Sequence, residues 1–167
     1  MPSSDPPAAD QASQRPPRSS GLLDTCVVID LPRYDPVELP DVSHVSAVTL
    51  AELSYGVALA RSPVDAATRS QVFANTKAWV RPLPFDGAAA ERYGELAAMV
   101  LAAGRQPRPR RMDLMIAAVA VVRGLPLYTA NPDDYRGLAP ALTVVPVTPP
   151  DHEGASTRPP SWRRGLG

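Results

Sequence analysis

Apolar residues along the chain fall into two kinds of run. The first kind is short and continuous: Leu22-Leu23 closed by Asp24, HVSAV at 44–48, PLYT at 126–129 and LTVVPV at 142–147. Runs of this length bounded by polar or turn residues predict buried strands. The second kind is longer and predicts helices. One begins at Thr49 and runs through LAELSYGVALAR, and a second spans Val64 to Ala78. A third, rich in alanine, starts after Asp86 as N-cap and continues through Ala103 until Gly104 stops it. A fourth runs from Met112 to Arg123 and ends at Gly124. Val27-Val28-Ile29 either continues the first strand or begins a short helix that Pro32 closes. Val80 to Phe85 carries Pro82 and Pro84, which restricts it to a short or edge strand. GRQPRPRR at 104–111 reads as a loop. Short apolar strands alternating with helices predict an α/β fold, a three-layer sandwich in which helices flank a central parallel sheet of about five strands.

The ends of the chain have a different character. Residues 1–20 are rich in Pro and Ser, have no apolar segment of the kind a secretory signal needs, and are expected to be a disordered leader. Residues 148–167 are rich in Pro and Arg and are expected to be a disordered tail, in which Trp162, Arg163 and Arg164 offer at most a stacking contact to a single strand. The folded unit is then 21–147. Its size permits one domain with a sizeable core.

Composition narrows the chemistry. Seventeen basic residues balance seventeen acidic ones, so no global basic field marks a nucleic-acid binder, and any attraction must be local. The single cysteine, Cys26, excludes an internal disulfide and a zinc site of paired cysteines, and suits a reducing, cytoplasmic setting. Cys26 itself reads as a small buried residue. His44 and His152 are far apart, so a bound metal would be a hard ion held by oxygen. No apolar run is long enough to span a membrane.

In open parallel sheets, ligands bind beyond the carboxyl ends of the strands, where the strand order reverses. The chain places polar residues there: Asp24-Thr25 after the first strand, and Asn131 to Asp134 after PLYT. Glu52 lies in the helix after the second strand, and Asp113 opens the helix MDLMIAAVAVV. Each has a structural alternative. Asp24 could cap the helix that follows it. Thr49-Leu50-Ala51-Glu52 matches a capping box. Asp113 favours the positive end of its helix, and Asn131-Pro132-Asp133-Asp134 is turn chemistry. These alternatives do not explain why all four positions fall at one sheet edge. Carboxylates gathered at ~4 Å repel by about 4 kcal/mol per pair at an effective dielectric of ~20. Such a cluster takes up protons or a cation. Mg²⁺ suits it, since that ion accepts one or two carboxylates and keeps several waters for hydrolysis.

LLDTCVVID, SAVTLAEL, MDLMIAA and YTANPDDYRGL, in this order and at these intervals, resemble the four motifs of the PIN-domain family, and within it the VapC toxins of bacterial toxin–antitoxin modules. The resemblance covers 21–147. It implies an Mg²⁺-dependent endoribonuclease, with Mn²⁺ as a substitute ion. It also implies a homodimer whose RNA-cleaving activity is silenced by a cognate antitoxin protein. By motif match, Asp24 and Asp113 are the principal metal ligands, and Glu52 binds the metal through water or positions the attacking water. Thr25 holds a carboxylate or the scissile phosphate, and Asn131 or Asp134 completes the site. Many PIN nucleases have an acid where Asn131 stands, so either Asp134 or Asp133 supplies the fourth carboxylate, or a second metal binds poorly until RNA arrives.

Arg105, Arg108, Arg110 and Arg111 crowd the loop before Asp113. Arg108, Arg110 and Arg111 are expected to guide RNA phosphate, with a solvated loop as the alternative. The antitoxin is expected to cover apolar surface around Val45 to Leu59 and the Ala-rich helix. An aspartyl phosphatase would need an acid where Cys26 stands, and a phospho-acceptor receiver would need a lysine after a later strand, whereas the only lysine is Lys77 in a helix. The non-enzymatic alternative is a catalytically weak PIN fold that mainly binds an antitoxin or RNA.

Overall fold

The computed structural model describes residues 19–149. Four strands, β1 (Ser20–Leu23), β2 (Val42–His44), β3 (Leu127–Thr129) and β4 (Val144–Pro146), form one parallel sheet in the order β2-β1-β3-β4. The helices are α1 (Thr25–Ile29), α2 (Ala47–Ala58), α3 (Pro63–Trp79), α4 (Gly87–Ala102) and α5 (Arg111–Val122). Much of the expected leader and tail lies outside the described residues, Trp162 to Arg164 included. Ser19 is bound to the domain through Asp41, and the backbone N–H of Thr148 donates to Glu38 at 2.8 Å, so the ordered contacts reach slightly past 21–147 on both sides.

The layering follows from β1. Successive strand residues face opposite sides of a sheet, and Leu22 and Leu23 are both fully buried. Leu22 packs with Leu96, Val100, Leu114 and Ile116 from α4 and α5. Leu23 packs with Val27, Val45 and Leu53 on the other side. Helices therefore cover both faces, as a two-sided apolar strand requires. α5 is apolar almost all round, with Leu114 and Ile116 through Ala120 buried, which fits a helix enclosed by its neighbours. The close approach of β3 to β1 leaves no room at Gly21, where an added Cβ would stand 2.3 Å from Cε2 of Tyr128.

Several boundaries differ from the sequence expectation. The second strand occupies 42–44, not 44–48. Ser46 ends it by capping α2, its Oγ accepting from the backbone N–H of Thr49 at 2.9 Å. A strong local cap thus overrides the β-branched composition of HVSAV. Val80 to Phe85 forms no strand. Only Leu83 pairs, donating to Val45 O and accepting from Ala47 N at 2.8 Å each. Pro82 and Pro84 have no N–H to extend the ladder, so the sheet has four strands and one isolated bridge where about five strands are expected. The loop 104–111 contains a 3₁₀ turn at Arg108–Arg110, and α5 starts at Arg111. Asp86 caps α4 as expected, accepting from Ala89 N at 3.1 Å.

Candidate active site at the carboxyl ends of β1 and β3

The strand order reverses between β1 and β3, since β2 lies to one side of β1 and β3 to the other. The crevice outside that point is where a parallel sheet presents ligands. Asp24 stands there, immediately after β1, with its backbone N–H bonded to Tyr128 O at 2.9 Å. Its side chain is fully buried. Oδ1 accepts from Thr25 N at 2.7 Å, and Oδ2 accepts from Thr129 Oγ1 at 2.8 Å and Cys26 Sγ at 3.2 Å. Asp24 is therefore a cap of α1 and an element of the crevice at once.

Glu52 is 2% exposed and projects from the interior of α2. Its Oε2 accepts from Thr25 Oγ1. The capping-box alternative for Glu52 is thereby removed: α2 begins two residues before Thr49, Ser46 caps it, and Glu52 reaches across to β1. Two carboxylates are thus taken out of water in one corner of the fold, with Thr25 bonded to both. Burial of such charge is costly unless a partner compensates it.

Thr129, at the end of β3, extends the network to the fourth motif. Its hydroxyl accepts from Asn131 N at 3.0 Å while donating to Asp24. Asn131 O then accepts from Asp134 N at 3.0 Å, within the 3₁₀ turn Pro132–Tyr135. Asp134 Oδ1 lies 3.6 Å from Arg110 Nε, an ion pair between two partly buried side chains. One turn beyond Arg110, Asp113 is half-buried in the first turn of α5. A connected path thus runs Glu52, Thr25, Asp24, Thr129, Asn131, Asp134, Arg110 and on to the helix bearing Asp113.

The basic loop is only partly where the sequence reading puts it. Arg108 and Arg111 are exposed. Arg110 faces Asp134, and Arg105 donates to backbone carbonyls of the Asn131–Gly137 segment. Cys26 is half-buried with its Sγ on Asp24, not a purely packed side chain. Thr129 was not anticipated. A Thr that ends a strand just before a polar turn is its only signal in the sequence. Tyr34 was also missed. Burial pushes its hydroxyl well above the usual tyrosine range, and Cys26, Asp30, Asp24 and Glu38 add to the effect, so Tyr34 stays neutral near the carboxylates.

The donor set is hard oxygen, which suits Mg²⁺. Among the described residues, no three His, Cys, Asp or Glu side chains are close enough to enclose a metal ion. Mg²⁺ does not need such an enclosure, because it binds through one or two carboxylates and retains water. The residues present therefore fit a partly hydrated ion more than a closed cage.

The chain is an α/β protein with a parallel sheet and buried carboxylates at the β1/β3 crevice, and its family follows from comparison. Residues 22–139 match the PIN domain, and the chain belongs to that family. It is 36% identical over 129 residues to ribonuclease VapC5 of Mycobacterium tuberculosis, covering 75% of this chain and 93% of that protein. Identity to ribonuclease VapC4 of the same organism is 33% over 129 residues, covering 75% and 95% of the two chains. In three dimensions it is similar to VapBC-5, a toxin–antitoxin complex from M. tuberculosis, with a TM-score of 0.66, 36% identity, and coverage of 77% and 98%.

Proposed function

We propose that this chain is an endoribonuclease of the VapC kind, the toxin of a toxin–antitoxin pair, and that it uses a divalent metal. The observation that carries this reading is the pair of buried carboxylates, Asp24 and Glu52, held by Thr25 at the carboxyl end of β1. Its resemblance to ribonucleases VapC5 and VapC4 supports the substrate class.

Asp24 and Asp113 would hold Mg²⁺ or Mn²⁺. When bound, the ion neutralises charge on the phosphate and acidifies water. The chain's own residues then do the following. Thr25 and Thr129 fix the two oxygens of Asp24 and one of Glu52, so neither carboxylate needs to reorient. Glu52 orients the attacking water. Asn131 and Asp134 border the phosphate from the β3 side, with Asp134 supplying the acid that Asn131 lacks. Arg108 and Arg111, exposed where the chain enters α5, attract the RNA backbone.

VapBC-5 is a toxin–antitoxin complex, and an antitoxin is the partner proposed here. Of the segment Val45 to Leu59, Val45, Val48 and Leu53 are buried in the core, while Tyr55 and Leu59 are exposed. The antitoxin would therefore meet this segment at Tyr55 on α2 and at Leu59, its C-cap. No described helix is long and apolar enough to cross a membrane. The cytoplasm is the proposed setting, and a homodimer the proposed assembly.

Purified protein incubated with total RNA, with Mg²⁺ or with EDTA, tests the proposal. Discrete fragments that require both Mg²⁺ and Asp24 are expected. RNA left intact by antitoxin-free protein in Mg²⁺ would favour a catalytically silent binding module.

A further inference from the structure

The turn that carries Asn131 and Asp134 is held from outside the crevice by Arg105. α4 ends in a left-handed Gly104 at φ 72°, with Gly104 N bonded to Leu101 O at 2.9 Å and Arg105 N to Val100 O at 3.0 Å. This paired closure fixes the direction in which the chain leaves the helix, and so fixes where the Arg105 side chain begins. From there Nη1 donates to Arg136 O at 2.7 Å and Nη2 to Asp133 O at 3.0 Å. The two carbonyls belong to residues on either side of Asp134 and Tyr135. A planar guanidinium meets them with two separate nitrogens in a fixed fork, whereas an ammonium offers a single nitrogen.

A second contact brings the same two segments together. Gly137 has φ 95°, and a Cβ added there would stand 3.3 Å from Ala103 Cβ. Leu138, directly after it, is fully buried in the core beside α4 and α5. The turn is therefore pinned at both ends. Thr129 holds Asn131 on the β3 side, and Arg105, Gly137 and Leu138 hold the far side against the end of α4.

We infer that Arg105 is a positioning residue of the active site: its guanidinium bridges the carbonyls of Asp133 and Arg136 and so sets the placement of Asn131 and Asp134. Its role is distinct from phosphate binding, because both terminal nitrogens are directed at protein backbone. The kinetic consequence rests on the ribonuclease reading above. The structural consequence does not.

The full chain is compared with Arg105→Ala and Arg105→Lys by two measurements. Amide hydrogen exchange, recorded without added metal, is expected to quicken across 131–137 in Arg105→Ala and to stay unchanged in α5. In RNA cleavage, kcat is expected to fall between about 10- and 100-fold, as when residues behind a metal site are removed. KM and the salt dependence are expected to hold, and Arg105→Lys should recover part of the rate. Unchanged exchange over 131–137 would overturn the inference. So would a raised KM with a shallower salt dependence at constant kcat, which marks a phosphate contact. A lower Tm with unaltered kinetics would reduce Arg105 to a stabilising residue and overturn it as well. If the wild type cleaves no RNA, the ribonuclease reading fails on that control, while the exchange measurement still decides whether Arg105 holds the turn.

Discussion

Replacing Thr129 by valine isolates the hydroxyl that joins the two halves of the site. Valine keeps the volume and β-branching that suit a strand, so the change is confined to hydrogen bonding. Oγ1 of Thr129 donates to Asp24 Oδ2 at 2.8 Å and accepts from Asn131 N at 3.0 Å, and the residue is fully buried. A hydrogen bond to a charged acceptor contributes about 1.5–3 kcal/mol, and the neutral bond to Asn131 about 0.5–1.5 kcal/mol. Water reaches part-buried Asn131 more readily than Asp24, so the second term belongs at its lower end and the total is about 2–4 kcal/mol. For a domain of this size each kcal/mol moves Tm by roughly 3–5 °C. Thr129→Val is therefore expected to melt well below wild type, with a lower urea midpoint and an unchanged m-value. Thr129→Ser retains the hydroxyl and removes one methyl, a loss of about 0.8 kcal/mol. A valine variant as stable as wild type, or more stable than the serine variant, would refute the assignment of this hydroxyl to the Asp24 network.

Other perturbations give equally definite expectations. Asp24→Asn sets an amide NH₂ against a donor already aimed at the carboxylate oxygen, so it is expected to lose cleavage and also about 1–3 kcal/mol in a urea melt. Asp113→Asn, in the half-buried first turn of α5, is expected to lose cleavage while keeping a wild-type circular dichroism spectrum. Gly21→Ala places a Cβ 2.3 Å from the Tyr128 ring and is expected to cost about 1–3 kcal/mol, with non-additivity in a cycle with Tyr128→Ala as the check. The Arg69 side chain, and then the Arg61 backbone N–H, hold Asp65 below the usual carboxylate range. Its stabilising effect is present above the ordinary carboxylate value and is lost as pH falls through the lower folded-state value. The stability gap between wild type and Asp65→Asn should accordingly close on acidification, and a gap independent of pH would count against the ion pair.

The sequence by itself determined those features whose causes lie within a few residues. Leu22-Leu23 dictated a strand buried on both faces, Asp86 and Gly104 dictated the two ends of α4, and the four polar motifs dictated the order in which site residues are met. Composition alone misplaced β2, because HVSAV is β-rich and yet contains Ser46, whose hydroxyl starts a helix. Only the tertiary structure decided which side chains meet. Thr25 finds Glu52 27 residues away, Thr129 finds Asp24 across 105 residues, and Arg105 finds its carbonyls 28 and 31 residues on. Those partnerships depend on the strand order β2-β1-β3-β4 and on the closure of α4, which bring distant chain segments within hydrogen-bond reach. Helical and strand periodicity reports which way a side chain faces, whereas the identity of what it faces is set by packing between elements.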